Sequence, residues 1–471
     1  MNFRGKTVLV LGMGETGFSM AQWLSHMGAK VRAADSRATP PYLAALKQAL
    51  PASGTFAGAF QAEIFIGIDV VAISPGVPLV ERLVQQAVKD GVPVVGDMEI
   101  FALAIKQLNI SKPKILAVTG SNGKTTVTAM VGAMVEKAGW DVEVAGNIGP
   151  PVLDALMQRK ESGKFPEAWV LEVSSFQLET TQSLDPDAAA VLNLSEDHFD
   201  RYAGMQDYAA AKARIFVGGA AAGGIQVLNR GDSVVRAMAL SGRRQMTFGL
   251  DMPTADSDFG LLRDGVNIWL VQGKTRLMKI SELGVNGLHN AANALAALAL
   301  CRAIDLPFEP LLQALREFKG LPHRMEKVAA FNGVTFYDDS KGTNVGATVA
   351  ALKGMTQSVV LIAGGDGKGQ NFSPLAGPIA EHARAVVLIG RDAEKIATAI
   401  GDCEVPLHHA ATMEEAVQKS FMLARKGDAV LMSPACASLD MFKNYAHRAE
   451  AFVAAVRALQ AETSAIHKAF N

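Results

Sequence analysis

Three times in this chain a short β-branched run leads into a glycine-rich loop and then a helical pattern. Thr7-Val8-Leu9-Val10-Leu11 precedes Gly12-Met13-Gly14-Glu15-Thr16-Gly17, and Ile115-Leu116-Ala117-Val118 precedes Thr119-Gly120-Ser121-Asn122-Gly123-Lys124-Thr125-Thr126. Val359-Val360-Leu361-Ile362-Ala363 precedes Gly364-Gly365-Asp366-Gly367-Lys368-Gly369. Strand, glycine loop and helix in that order begin an α/β unit with a parallel sheet. The helix N-termini at such turns favour anions, because free N–H groups and the helix dipole both point outward there. The three loops are not copies of one another, so a motif recurs and no repeat array is expected.

At 471 residues and roughly 150 residues per domain, the chain has length for about three such units. Asn109-Ile110-Ser111-Lys112-Pro113-Lys114 reads as a linker after the first. Lys319-Gly320-Leu321-Pro322 follows a long alanine- and leucine-rich helical stretch near 290–303, plus a shorter amphipathic one, and reads as the opening of the third. Basic and acidic residues nearly cancel, 45 against 46, so no charge excess points to nucleic acid or membrane. Cys301, Cys403 and Cys436 lie far apart, without zinc-site spacing or a disulfide framework. No signal-peptide pattern and no run of about 18 apolar residues occurs. A cytoplasmic location is expected, with no nucleic-acid or membrane partner.

The second loop is close to the phosphate-binding pattern G-x-x-x-x-G-K-[ST], with Val118 where the first glycine belongs. The working parts persist. Gly120 and Gly123 let backbone N–H groups approach phosphate oxygens, Lys124 adds positive charge, and Thr125 can set its hydroxyl on Mg²⁺. A helix is expected over 126–136. Trp169-Val170-Leu171-Glu172 reads as a buried strand ending in a carboxylate. Alone, Glu172 would be a capping or ion-paired residue; beside a phosphate-loop lysine it stands where Mg²⁺ needs an oxygen. Residues 191–195 read as a further strand, followed by His198 amid Glu196, Asp197 and Asp200. Lys212 lies in a helical stretch, and from spacing alone it reads as solvated.

The first loop fits the dinucleotide fingerprint Gly12-x-Gly14-x-x-Gly17, with Asp35 ending the next strand about 20 residues on. Alone it suggests a nicotinamide-dependent oxidoreductase. That reading leaves Lys124, Glu172 and His198 unexplained, and any nucleoside diphosphate can use the same turn.

Taken together these motifs resemble the Mur ligases of peptidoglycan precursor synthesis. The resemblance is carried by the Thr119-to-Thr126 loop, Glu172-Val173-Ser174-Ser175-Phe176-Gln177, Asn193-x-x-Glu196-Asp197-His198-x-Asp200-Arg201 and His289-Asn290-x-x-Asn293. Pro322-His323-Arg324-Met325-Glu326, Asp338-Asp339-Ser340-Lys341-Gly342-Thr343-Asn344 and Ser433-Pro434-Ala435-Cys436-Ala437-Ser438-Leu439-Asp440 continue it through the chain. The Asp339-Ser340-Lys341 form, the Ser438-to-Tyr445 run and Asp35-Ser36-Arg37 are similar to the branch that adds D-glutamate.

The resemblance implies an α/β fold of three domains. These are a Rossmann-like UDP-substrate domain over 1–110, a central P-loop ATPase-type domain with a parallel or mixed sheet over 111–319, and a Rossmann-like amino-acid domain over 320–471. It implies ATP and two Mg²⁺ ions, with UDP-N-acetylmuramoyl-L-alanine and D-glutamate as small-molecule partners; a monomer is expected. Lys124, Glu172, His198, Lys212 and Lys341 would be catalytic, with Thr125, Glu172, His198 and a carbamylated Lys212 around the metals. Gly120, Ser121, Asn122, Gly123, Lys124, Thr125, Thr126, Asn293, Arg324 and Asp339 would hold the nucleotide. Gly14, Thr16, Asp35, Ser36, Arg37 and Gly76 would hold the UDP group, and Asn147, Ser174, Gln177 and His198 would border the muramoyl-alanine. Thr343, Lys368, Ser438, Leu439, Phe442 and Tyr445 would meet the D-glutamate carboxylates.

Overall fold

The structure is a computed structural model that describes residues 1–108, 112–216 and 224–470, with side chains described to residue 464. Residues 109–111 of the expected linker lie outside the described residues. The chain forms two compact units. Met1–Asn193, Gln206–Ile280 and Asn293–Arg316 make the first; Leu194–Met205, Ser281–Ala292 and Glu317–Asn471 make the second.

The described residues of the first unit carry two sheets. One comprises β1 (Thr7–Leu11), β2 (Lys30–Asp35), β3 (Gly54–Ala57), β4 (Val70–Ile73) and β5 (Val94–Val95) in the order β3-β2-β1-β4-β5. All its pairs are parallel. That order is one half of a doubly wound fold, with the chain reversing direction across the sheet beside β1. Val8, Leu9, Val10 and Leu11 are fully buried, as a central parallel strand covered on both faces requires. The turn to helix Glu15–His26 is tight: a Cβ at Gly17 would stand 1.7 Å from the Gly12 carbonyl oxygen.

The other sheet comprises β6 (Lys114–Thr119), β7 (Val142–Gly146), β8 (Ala168–Glu172), β9 (Ala188–Val191), β10 (Ile225–Asn229), β11 (Gln245–Phe248), β12 (Phe259–Asp264), β13 (Asn267–Gln272) and β14 (Thr275–Lys279). Its order is β14-β13-β12-β11-β10-β9-β6-β8-β7, parallel up to β12 and antiparallel through the last three strands. The strand expected over 191–195 instead occupies Ala188–Val191. Its alanines have little β-propensity of their own, and pairing between β6 and β10 makes the strand. Helix Asp97–Gln107 packs Phe101 edge-on against Trp169 of β8, ring centroids 4.9 Å apart.

The second unit is built on β15 (Glu326–Phe331), β16 (Val334–Asp338), β17 (Val359–Gly364), β18 (Ala383–Ile389), β19 (Leu407–His409) and β20 (Ala429–Met432) in the order β15-β16-β20-β17-β18-β19. Alternate residues of β17 point to separate cores: Leu361 packs with Leu352, Leu375 and Ile396, and Ile362 with Phe336, Val417 and Phe452. The third glycine loop departs from expectation. It opens no helix directly; a short 3₁₀ turn at Ser373–Leu375 and then helix Ala376–His382 follow it. Among the described residues no helix is long and apolar enough to cross a membrane.

Because Phe101 and Trp169 are both fully buried, Phe101→Ala should cost about 3–5 kcal/mol and lower the melting temperature by several degrees. A loss within about 0.5 kcal/mol, as at an ordinary surface position, would mean that this contact does not hold the helix to the second sheet.

Candidate active site

The phosphate loop is pinned from below. Strand β6 ends at Thr119, and Gly120 (φ 149) and Gly123 (φ 84) turn the chain into helix Lys124–Lys137. At both positions the backbone conformation would strain any side chain. A Cβ at Gly120 would stand 3.0 Å from Leu192 Cβ, and one at Gly123 would stand 2.6 Å from Asn293 Oδ1. Asn193 clasps the loop from both sides, accepting from the Asn122 N–H at 2.8 Å and donating from its amide to the Asn122 carbonyl at 3.0 Å. The Ser121 N–H adds a bond of 2.9 Å to the Asn193 carbonyl. Lys124 Nζ folds back over the turn, donating to the carbonyls of Gly120 (2.9 Å) and Ser121 (3.0 Å). Thr126 is buried one turn into the helix, and Thr125 precedes it.

Glu172 ends β8, which pairs with β6 so that Glu172 lies opposite Val118, just before the loop. Its side chain is 1% exposed. Oε1 accepts from Asn147 Nδ2 at 2.7 Å, while Oε2 is buried with no hydrogen-bond partner among the described residues. A buried carboxylate oxygen in that state is costly unless something positive meets it, and an oxygen-seeking divalent ion such as Mg²⁺ does so. The donor set therefore fits the ion that the loop sequence implies.

Lys212 corrects the reading from spacing alone. It is not solvated: it is 1% exposed, with Nζ donating to the Gly120 carbonyl at 2.9 Å and to Thr119 Oγ1 at 3.4 Å. It also lies 4.7 Å from the centroid of the Tyr208 ring, whose hydroxyl meets Ser121 Oγ at 3.2 Å. In helix Met205–Ala213, Lys212 is flanked by Ala209, Ala210, Ala211 and Ala213, so no periodic pattern shows which face is inward.

A second part of the same unit is a cavity of about 520 Å³ lined by both sheets' loops. Gly14, Thr16, Asp35, Ser36, Arg37 and Gly76 line it on one side, and Asn147 and Gln177 on the other. Ser174 is not on its wall; it caps helix Ser175–Glu179 in a reciprocal box with Gln177. Burial works against ionisation of Asp35, but hydrogen bonds from the Arg37 side chain and from the Arg37 and Met13 N–H groups hold its carboxyl below the ordinary range. Two buried acids unremarked in the sequence brace the far wall. Asp97 accepts from Gln177 Nε2 at 2.8 Å, and Glu99 accepts from the N–H groups of Gln182 and Ser183 at 2.6 and 2.7 Å. Both sit in the first turn of helix Asp97–Gln107, where an acid is favoured by the helix dipole. An ordinary capping position disguised them.

The second unit gathers the remaining candidates. Asp338 ends β16 and Asp339 follows it. Asp338 accepts from Ser340 N and Oγ through one oxygen and meets His323 Nδ1 at 2.8 Å through the other. Burial pushes the Asp339 carboxyl up to about 7, opposed by a 2.7 Å bond from Ser433 Oγ and by the Arg324 charge. Lys341 Nζ lies 3.7 Å from the Tyr445 ring centroid, and the Thr343 N–H bonds the Lys341 carbonyl. Lys368, left-handed at φ 51, pairs with buried Asp197 at 2.5 Å; Asn344 Nδ2 reaches the same carboxylate at 3.1 Å. Burial opposes ionisation of Asp197, yet Lys368 and His198 hold its carboxyl below the usual range. His198 itself is left-handed at φ 58 and its N–H caps Asp197. Ser438 is buried and accepts the Phe442 N–H at its carbonyl, whereas Leu439 is 71% exposed.

A buried strand that hands a two-glycine, lysine-tipped loop to a helix, beside a carboxylate with an open oxygen, defines a protein that binds nucleotide phosphates. Residues 6–96 match the model of the Mur ligase MurD-like N-terminal domain, residues 118–301 that of the Mur ligase middle domain, and residues 323–436 that of the Mur ligase glutamate ligase domain. A UDP-N-acetylmuramoylalanine–D-glutamate ligase of Nitrosospira multiformis is 70% identical over 98% of this chain and 97% of its own. One of the same name from Nitrosomonas europaea is 63% identical over 98% of each chain. Among solved structures, the UDP-N-acetylmuramate-alanine ligase MurC of Thermotoga maritima shares the fold, with TM-score 0.60 at 19% identity over 96% of this chain and 99% of its own. The chain belongs to the Mur ligase family.

The Asp97 brace carries a pH signature. Burial raises its carboxyl from 3.8 to about 6, so the folded state binds a proton that the unfolded state has released. Stability from this group is therefore lost as pH rises between those values, and the penalty is constant above them. Asp97→Asn keeps an oxygen for Gln177 and removes the charge. It should stabilise the protein at pH 8 by ~1–3 kcal/mol and change little at pH 4, read from melting temperatures across that range. A variant no more stable than the parent at pH 8 would contradict the assignment.

Proposed function

We propose that this chain joins D-glutamate to UDP-N-acetylmuramoyl-L-alanine, forming an amide with release of ADP and phosphate, in cytoplasmic peptidoglycan precursor synthesis. The observation that carries the reading is the buried, open oxygen of Glu172 beside the Gly120–Gly123 turn, in a chain 70% identical to a ligase of that name. The chain acts as a monomer, with substrate, nucleotide and amino-acid regions over 1–110, 111–319 and 320–471.

The chemistry follows from what a carboxylate lacks. It is a poor electrophile, so its oxygen first attacks the γ-phosphorus of ATP and ADP leaves. The amine of D-glutamate then attacks the acyl carbon, phosphate departs, and the nitrogen loses a proton. Negative charge is dispersed over phosphate oxygens in the first step, and cations with N–H donors stabilise it. Lys124 and the N–H groups of Gly123, Thr125 and Thr126 take the β- and γ-phosphates, while Gly120, Ser121 and Asn122 border them, the Ser121 and Asn122 N–H groups being bonded to Asn193. Asn293, Arg324 and Asp339 take the rest of the nucleotide, and Lys341 acts in the catalytic step.

Thr125 and Glu172 are the ligands proposed for one Mg²⁺, and His198 and Lys212 for a second; the ions supply charge neutralisation at the phosphates. Lys212 would serve as a carbamate, its amine nitrogen bonding the carbon of CO₂ with loss of a proton. That converts a buried ammonium into an oxygen ligand of the kind Mg²⁺ takes. Gly14, Thr16, Asp35, Ser36, Arg37 and Gly76 hold the UDP group, with Asn147, Ser174, Gln177 and His198 along the muramoyl-alanine. Thr343, Lys368, Ser438, Leu439, Phe442 and Tyr445 meet D-glutamate.

Phosphate release from ATP should require both UDP-N-acetylmuramoyl-L-alanine and D-glutamate for turnover; release independent of either would sink the reading. Lys124→Ala and Glu172→Gln should each lower kcat/KM by about 10²–10³, and a loss under about threefold would remove their roles. Carbon-13 NMR of protein equilibrated with labelled bicarbonate should show one carbamate carbon that Lys212→Ala abolishes. A spectrum unchanged by that substitution would remove the carbamate.

A further inference from the structure

Helix Tyr445–Phe470 ends the described chain, and one of its faces is the expected one: Phe452, Ala455 and Val456 are buried against the sheet of the second unit, and Ala449 is buried too. Arg448, on the same buried side, does not belong to that pattern. It is 1% exposed, one of the largest fully buried side chains among the described residues. A guanidinium taken out of water costs several kcal/mol unless its donors are met, and hydrocarbon would serve packing better. Its Nη1 donates to the Cys436 carbonyl at 3.0 Å and its Nη2 to the Ser340 carbonyl at 2.8 Å, while Nε has no partner among the described residues.

The two carbonyls matter because of where they lie. Ser340 sits between Asp339 and Lys341 in the loop after β16, with Thr343 three residues on. Cys436 sits in the loop after β20, two residues before Ser438. The loops leave neighbouring parallel strands and are tied where they start by the Ser433–Asp339 bond; Ser340 and Cys436 lie further along them. Arg448 is one planar group that touches both. Burial brings its guanidinium down to about 10, so the positive charge persists at neutral pH. The other titratable groups that face it are Cys436, Asp440, Asp338 and Asp339.

We propose that Arg448 is a positioning residue for the acidic amino acid. Its fork locks the Ser340 and Cys436 carbonyls so that Lys341, Thr343 and Ser438 present their donors as one set. Its buried charge also favours a ligand with two carboxylates. This rests on the reading that those residues meet D-glutamate, and it gives the terminal helix a role beyond packing.

The test uses the full chain with Arg448→Met, Arg448→Lys and, as a packing control on the same helix, Phe452→Leu. Hydrogen bonds from a charged donor are worth about tenfold or more in an equilibrium. Arg448→Met should therefore raise the KM for D-glutamate by about tenfold or more, while KM for ATP and for UDP-N-acetylmuramoyl-L-alanine stay within about twofold. Arg448→Lys should recover part of the loss, because it keeps the charge and one carbonyl contact. Phe452→Leu should lower the melting temperature without moving the KM for D-glutamate. Equal shifts in all three KM values, or a D-glutamate shift as large in Phe452→Leu, would overturn the proposal. Failure of both Arg448 variants to fold would also overturn it, since the residue would then be a folding element. Parent enzyme without D-glutamate-dependent phosphate release is a distinct outcome: it removes the ligase reading, and this inference with it.

Discussion

A β-carbon at Gly120 would stand 3.0 Å from Leu192 Cβ and 3.2 Å from the Leu192 nitrogen. That closeness, with the positive φ of Gly120, constrains the path of the phosphate loop. Strand β9 lies directly beside β6, and the chain leaving it presses on the underside of the phosphate loop. The loop can pass only with glycine in a left-handed or extended turn, and once it passes it is held by Asn193 on both edges. With the Ser121 and Asn122 N–H groups bonded to Asn193, the turn that leads into helix Lys124–Lys137 is fixed before any ligand arrives. Preorganised donors at the start of that helix need not be reoriented during the reaction, which is where most of their value lies.

The same economy appears on the wall of the 520 Å³ cavity. Gln177 faces it, its amide bound to Asp97 and its oxygen bound to Ser174 N and Oγ. Both ends of the side chain are committed, so its position is decided by the first turn of a helix from the neighbouring sheet. In the second unit Arg448 does for two loops what Asp97 does for one side chain. In both places a buried ionisable group is retained against its desolvation cost, and in both it holds a residue that the site needs.

Strands with β-branched runs were legible because their composition matches a buried parallel sheet: β1, β6 and β17 fall where the sequence places them. The glycine loops were legible because backbone approach to an anion demands small residues at fixed intervals. What was hidden was hidden for physical reasons. Ala188–Val191 is a strand by pairing and not by propensity. Lys212 is buried by a helix whose neighbours are nearly all alanine, which leaves no period to read. Residues 259–279 form two antiparallel hairpin links whose register depends on β11, and nothing local announces that they extend the same sheet. Arg448, Asp97 and Glu99 carry no signal in the sequence, since burial is a property of what surrounds a residue.

The central claim is that the loop holding Lys124 activates a carboxylate by making it an acyl phosphate. Oxygen-18 in the alanine carboxylate of UDP-N-acetylmuramoyl-L-alanine tests this directly, because the oxygen that attacks phosphorus must leave with it. After turnover with ATP and D-glutamate, mass spectrometry of the inorganic phosphate should find one labelled oxygen per phosphate formed. Phosphate carrying no label would contradict the account, since the carboxylate would then never have been bonded to phosphorus.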